Sequence, residues 1–223
     1  MDLVTVVFRG DLVLQKLQAR SVAMFVDRDL IGKIHVINND DEAFREDLVA
    51  AVLPEYDALR DRVVLHHWQD LIADRRGATG WRSQQALKLR IAERAESPRF
   101  MVLDGKNHFI RPVGEGDLIR NGKPLTFAAR PNGNLASYFR DSLLYFGLDP
   151  EAMLERPMPA TTPYILDTAI VRAMMDHIEE REAQPFADFF LGNRHLTEFF
   201  LYFGYLNLLP GGPGAYYQFG KRL

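Results

Sequence analysis

Residues 3–8, Leu-Val-Thr-Val-Val-Phe, form an apolar, largely β-branched run of strand length that breaks at Arg9-Gly10-Asp11. Helical spacing follows at Leu14, Leu17, Ser21 and Met24, so the chain opens as strand, loop, helix. Lys33 to Ile37 predicts a second strand, and Asn38-Asn39-Asp40-Asp41 behind it has the short polar side chains that suit a turn and a helix N-cap. A helix to about Leu53 is expected next. Val63 to His66 predicts a third strand, Trp81 to Arg94 a helix, and Arg99 to Asp104 a fourth strand. Strand and helix thus alternate about every 30 residues, as βαβ units with a mostly parallel sheet do.

After Asp104 the rhythm changes. Asp117 to Phe127 predicts two short strands around Asn121-Gly122, a type I′ hairpin signal. Pro157, Pro159 and Pro163 bound an irregular connection, Asp167 to Glu182 predicts a helix and Leu196 to Leu209 another. The fold class expected is therefore α/β, with a central mostly parallel sheet flanked by helices, then a β-hairpin and a helical C-terminal part.

Composition narrows the function. A net charge of −3 over 223 residues gives no broad cationic field for a nucleic-acid backbone, so no nucleic-acid partner is expected. Cysteine is absent, which removes disulfides and thiolate metal sites and fits a reducing compartment; a cytoplasmic location is the expectation. The opening residues carry no secretory pattern, and the most apolar stretch, 196–209, is shorter than the ~20 residues that span a bilayer, so no transmembrane segment is expected.

In an open parallel sheet, ligands bind outside the carboxyl ends of the strands. The loops there supply Arg9, Gly10 and Asp11, then Asn38, Asn39 and Asp40, then Asp104, Gly105, Lys106 and Asn107. No G-x-G-x-x-G follows the first strand and no P-loop occurs, which sets aside the dinucleotide and Walker-type readings. Trp81, Gln84, Gln85 and Lys88 fall at i, i+3, i+4 and i+7, so one helical stripe carries an aromatic ring and three polar groups beside these loops. His66 and His67, adjacent on a strand, point to opposite faces and read as structural.

The blocks 80–89 and 103–112, with residues 4–11, 162–168 and 196–202, resemble a largely uncharacterised bacterial family of GT-A-type glycosyltransferase-like proteins of the nucleotide-diphospho-sugar transferase superfamily. The resemblance implies one GT-A-like domain over 1–223, with a nucleotide-binding half at 1–112 and an acceptor-side half at 113–223. It implies a nucleotide-diphosphate sugar donor, a saccharide or other hydroxyl acceptor, and an Asp-x-Asp motif binding Mn or Mg after the fourth strand. Here that motif is Asp104-Gly105-Lys106, so a cation replaces the second carboxylate and Asp104 is the one metal candidate left. An ammonium can pair with phosphate in the metal's stead.

The expected donor-binding set is Arg9, Asp11, Asn38, Asn39, Trp81, Gln84, Gln85, Lys88, Lys106 and Asn107, with Asp104 catalytic beside the diphosphate. Asp167 and Tyr202 are the acceptor-side candidates, although the favoured reading of Asp167 is a helix N-cap. Glu198, the only charged side chain between Leu196 and Leu209, is the candidate base for an inverting transfer. Its plainer reading is an acidic first-turn residue that complements the helix dipole. A catalytically inactive nucleotide-binding or scaffold domain of the same fold is the alternative function.

Overall fold

The computed structural model describes residues 1–78 and 80–220. In chain order it runs β1 (Asp2–Val7), α1 (Leu12–Phe25), β2 (Ile34–Asn38), α2 (Phe44–Ala51), β3 (Val63–His67), α3 (Gly80–Arg90) and β4 (Arg99–Leu103). Then come α4 (Glu115–Leu118), β5 (Ile119–Arg120), β6 (Lys123–Phe127), α5 (Asn134–Tyr145) and α6 (Pro150–Met153). The chain continues through β7 (Tyr164–Asp167), α7 (Thr168–Glu182), α8 (Phe186–Gly192), α9 (Glu198–Leu208), α10 (Pro213–Tyr216) and β8 (Gln218–Gly220). Contacts divide it into two compact units, Met1–Glu115 with Thr162–Ala173, and Gly116–Thr161 with Met174–Leu223.

The first unit is built on a five-stranded sheet of order β3-β2-β1-β4-β7. The first four strands are parallel, and β7 runs antiparallel to β4 with Asp167 opposite Arg99 and Tyr164 opposite Val102. Every residue of β1 and β2 is buried, which is why these strands read as continuous apolar runs rather than alternating ones. Because β7 is reversed, its first residues lie at the carboxyl edge of the parallel strands and its last, Asp167, at the amino edge.

The first helix is where expected, but its buried face is not the apolar stripe. Gln15, Gln18, Ala19, Ser21 and Val22 face inward, while Leu14, Leu17 and Met24 are 37, 45 and 66% exposed. Gln15 bridges the Thr5 hydroxyl and the Tyr56 hydroxyl, and its amide also donates to Gln18 Oε1. A buried amide is stable only with such partners. The third helix ends at Arg90 and tightens into one 3₁₀ turn at Ile91–Glu93, short of the expected Arg94.

The second unit has a small sheet of order β5-β6-β8 and a helical core. Asn121 and Gly122 take φ of 52° and 73°, the left-handed pair that a type I′ hairpin requires between β5 and β6. α5 and α9 meet through Phe139, whose ring stands edge-on to Phe200 and stacked on Phe203. At Gly204 a Cβ would fall 2.7 Å from the Phe146 ring, so glycine is what allows this close approach.

Candidate functional site

Asp104 stands directly behind β4, and three chain segments converge on it. Lys88, buried on α3, places its Nζ 2.8 Å from Oδ1. Thr162, just ahead of the reversed β7, donates its hydroxyl to Oδ2 at 2.8 Å. The Asp104 amide donates to Asn107 Oδ1, and Gln18 from α1 donates to the carbonyls of both Asp104 and Asn107. Asn107 closes the loop by donating to the Thr162 carbonyl. Burial pushes the Asp104 carboxyl upward, but the charge and hydrogen bond of Lys88, then Thr162 and Lys106, outweigh it and hold it below the usual carboxylate range.

A second carboxylate lies alongside. A Cβ on Gly105 would sit 3.8 Å from the Asp11 side chain. Burial, then the negative charge of Asp104, raise the Asp11 carboxyl. Lys106 is exposed on the same loop. Asp11, Asp104, Lys88 and Lys106 are thus brought together at one edge of the sheet.

The other expected donor-side residues are stitched into the fold. Asn38 donates to the Asp41 carbonyl and accepts the Asp40 amide, which makes it the turn former behind β2. Asn39 accepts the Ser83 hydroxyl and donates to the Gly80 carbonyl, tying that turn to α3. The Arg9 guanidinium pairs with Asp41 and Asp47 and lies over the Phe44 ring, so its charge is directed at α2. On α3, Trp81 is half exposed and Gln84 intermediate, whereas Gln85 is buried and donates to the Trp81 carbonyl.

Sequence reading left out three contributors at this edge. Thr162 escaped because only the reversal of β7 carries it there. Gln18 lay on what reads as a polar face of α1. The loop behind β3 was not counted, yet it carries Trp68, with the Arg75 guanidinium 4.1 Å from the centre of its ring. His66 and His67 are structural, as expected: His66 Nε2 lies 2.9 Å from His35 Nδ1, and His67 Nε2 lies 3.1 Å from the Asp40 carbonyl.

Asp167 accepts the amides of Ala169 and Ile170, both at 3.1 Å, which is N-cap geometry at the amino edge of the sheet. In the second unit, Glu198 is the first residue of α9 and only 6% exposed. The first-turn position expected of a dipole-complementing residue is found, but the solvent-facing side chain that went with that reading is not: Glu198 is buried. Tyr202, one turn on, is wholly buried and its hydroxyl accepts from Tyr217 at 2.9 Å. Among the described residues no three His, Asp or Glu side chains gather closely enough to hold a metal ion, and no helix is long and apolar enough to cross a membrane.

The family of unknown function DUF6492 matches this chain over residues 7–211. The chain belongs to that family. No curated protein matches it. Among solved structures, the galactosyltransferase LgtC with donor and acceptor sugar analogues superposes with a TM-score of 0.50 at 17% identity, over 81% of this chain and 64% of that one. Mouse xyloside xylosyltransferase 1 gives 0.49 at 15% identity, over 98% of this chain and 85% of the mouse protein. The bifunctional glycosyltransferase WbbM gives 0.48 at 12% identity, over 85% of this chain and 34% of that one. This chain therefore spans less than two thirds of LgtC and about a third of WbbM. The DUF6492 chain has the GT-A fold, a mixed α/β fold around a mostly parallel sheet.

Proposed function

We propose that this protein transfers a sugar from a nucleotide-diphosphate donor to a hydroxyl acceptor. The observation that carries the reading is Asp104, held ionised by Lys88 and Thr162 at the carboxyl end of β4, where an open parallel sheet binds its ligand. An ionised, fixed carboxylate is an acceptor for donor hydroxyls, and Lys106, exposed beside it, offers a compact positive charge for the diphosphate. The donor set suits Mn or Mg poorly: the motif keeps one carboxylate, Asp104, with an ammonium on one oxygen and a hydroxyl on the other, Asp11 is the one further carboxylate alongside, and no third ligand joins them among the described residues. The reading is accordingly metal-independent.

For an inverting transfer the base to test first is Glu198, buried in the first turn of α9 in the second unit. In such a transfer the acceptor oxygen attacks the anomeric carbon, the bond from that carbon to the diphosphate breaks with its electron pair leaving on phosphate, and the acceptor proton passes to a base. Glu198→Gln keeps size and hydrogen bonding but removes the base. It should cut kcat by about 10²- to 10⁴-fold while donor affinity holds. Near wild-type turnover would remove the assignment.

The experiment for the reading as a whole is a thermal-shift series with nucleoside diphosphates, each with EDTA and with Mn or Mg. Binding to the native state must raise the melting temperature. A rise that is indifferent to metal is expected, and no response to any nucleotide would defeat the reading. The engagement of Asp104 by Lys88 also favours a second reading, an inactive nucleotide-binding domain. Binding without hydrolysis or transfer across a panel of sugar donors would select it.

A further inference from the structure

The loop behind β3 holds a guanidinium with an unused edge. Arg75 lies over Trp68, and its Nε and Nη2 are shielded from solvent without a hydrogen-bond partner. A shielded donor left unmade is costly, more so on a charged group, and two on one side chain call for an acceptor that arrives from outside. Nε–H and the neighbouring Nη2–H point the same way and form one bidentate edge. The same protein shows what that edge takes. Arg20 uses it on the two oxygens of Glu55, at 2.8 and 2.9 Å, and Arg172 uses it on the carbonyls of Ala92 and Ala95, at 2.7 and 2.9 Å.

Charge narrows the choice between an anion and a neutral acceptor pair. Asp40, behind the neighbouring β2, is close enough for its charge and that of Arg75 to act on each other. Burial lowers the guanidinium's pKa and the charge of Asp40 offsets this only in part, but a second anion there would meet that Asp40 charge. Position narrows it again: β3 and β4 are three strand spacings apart in the sheet, roughly 14 Å. With the diphosphate at Asp104, that separation leads to the other end of a nucleotide, its base.

We infer that Arg75 reads the donor nucleobase through its Nε/Nη2 edge and selects bases with two adjacent acceptors, guanine by O6 and N7 or cytosine by O2 and N3. Uracil sets an N–H beside each carbonyl, and adenine sets an amino group beside N7, so each leaves one arginine N–H unpaired or opposed. This inference rests on the donor-site reading above.

The test is calorimetric binding of GDP, CDP, UDP and ADP to the whole protein and to Arg75→Lys, which keeps the charge and the stem but not the fork. Wild type should bind GDP or CDP about tenfold or more tighter than UDP and ADP, and Arg75→Lys should erase that preference with its melting temperature close to wild type. Equal affinities in the wild type, or a preference for UDP or ADP, overturn the inference while leaving the donor site standing; this comparison needs no variant. An unchanged preference in Arg75→Lys also overturns it. Failure of all four to bind overturns the donor-site reading itself, and the inference with it.

Discussion

Two carboxylates sit on adjacent strands of one sheet, at opposite edges, and their surroundings differ in kind. Asp2, at the amino end of β1, is wholly buried and receives the amides of Lys33, Glu96 and Ser97 and the Ser97 hydroxyl. Burial pushes its carboxyl upward, but His35, 3.5 Å away, and the hydrogen bonds from Ser97 and Lys33 overcome this and hold it far below the usual range. Gly32 packs so closely that a Cβ there would meet Asp2 Oδ1. Asp104, behind β4, instead has an ammonium and a hydroxyl for partners, keeps part of its surface open, and stands beside the polar loops. Backbone donors make a carboxylate part of the fold; side-chain donors on a partly open carboxylate leave it able to meet a ligand.

The largest effect that would sharpen this contrast is Asp2→Ala. It leaves three amides and a hydroxyl unpaired in the interior and should cost about 3–5 kcal/mol, read as a fall in the urea midpoint. Nucleotide affinity of the molecules that remain folded should not change. A loss of affinity without loss of stability would erase the distinction between the two edges.

Lys88→Met comes next. It strips Asp104 of its buried cation and should cost about 2 kcal/mol, below the full penalty of a buried pair because Asp104 is partly exposed. Adding Asp104→Leu should recover part of that loss, since no uncompensated charge then remains. Both variants should lower nucleoside diphosphate affinity at least tenfold, unlike Asp2→Ala. Stability loss with intact affinity would make Lys88–Asp104 a second structural knot.

How much of this was legible depends on what kind of signal each residue carries. The parallel strands, the Asn121-Gly122 hairpin and the Asp104 loop announce themselves because burial and turn geometry act on a few neighbouring residues. The inward face of α1 does not: Gln15 and Gln18 are buried only because Thr5, Tyr56 and the Asp104 loop supply partners from distant segments. Local spacing therefore favoured Leu14, Leu17 and Met24, which face outward. Thr162 was hidden for a topological reason, the reversal of one edge strand, and the pairing of Lys88 with Asp104 because 16 residues of helix and strand separate them.

A smaller effect is expected in acid, and it belongs to the Asp2 edge. His66 contacts His35, which neighbours Asp2, and burial first, then the charge of His35, pull its pKa down to about 4. Unfolded, it titrates near ~6.5, so the unfolded chain takes up the proton first. The stability tied to neutral His66 is present above about pH 6.5 and is lost as the pH falls towards 4. Asp2, with its depressed carboxyl, adds a loss in the same direction below the ordinary carboxylate range. Melting temperature against pH should therefore fall through this window, and His66→Gln should flatten its upper part. An unaltered profile would detach His66 from the Asp2 edge.

The smallest expected effect concerns Asp167, the third carboxylate at a strand end. The antiparallel register sets it opposite Arg99, on the amino edge with Asp2 and away from Asp104. Its Oδ1 takes the amides of Ala169 and Ile170, two of the donors that the start of α7 leaves without helical partners. Asp167→Asn keeps an acceptor oxygen in that position and should cost only a few tenths of a kcal/mol, whereas Asp167→Ala removes the cap and should cost about 1 kcal/mol. Neither should change turnover or acceptor KM, because a capping group acts on the helix alone. If Asp167→Asn raised acceptor KM severalfold at unchanged stability, the residue would belong to the acceptor site, and its reading as a helix cap alone would fail.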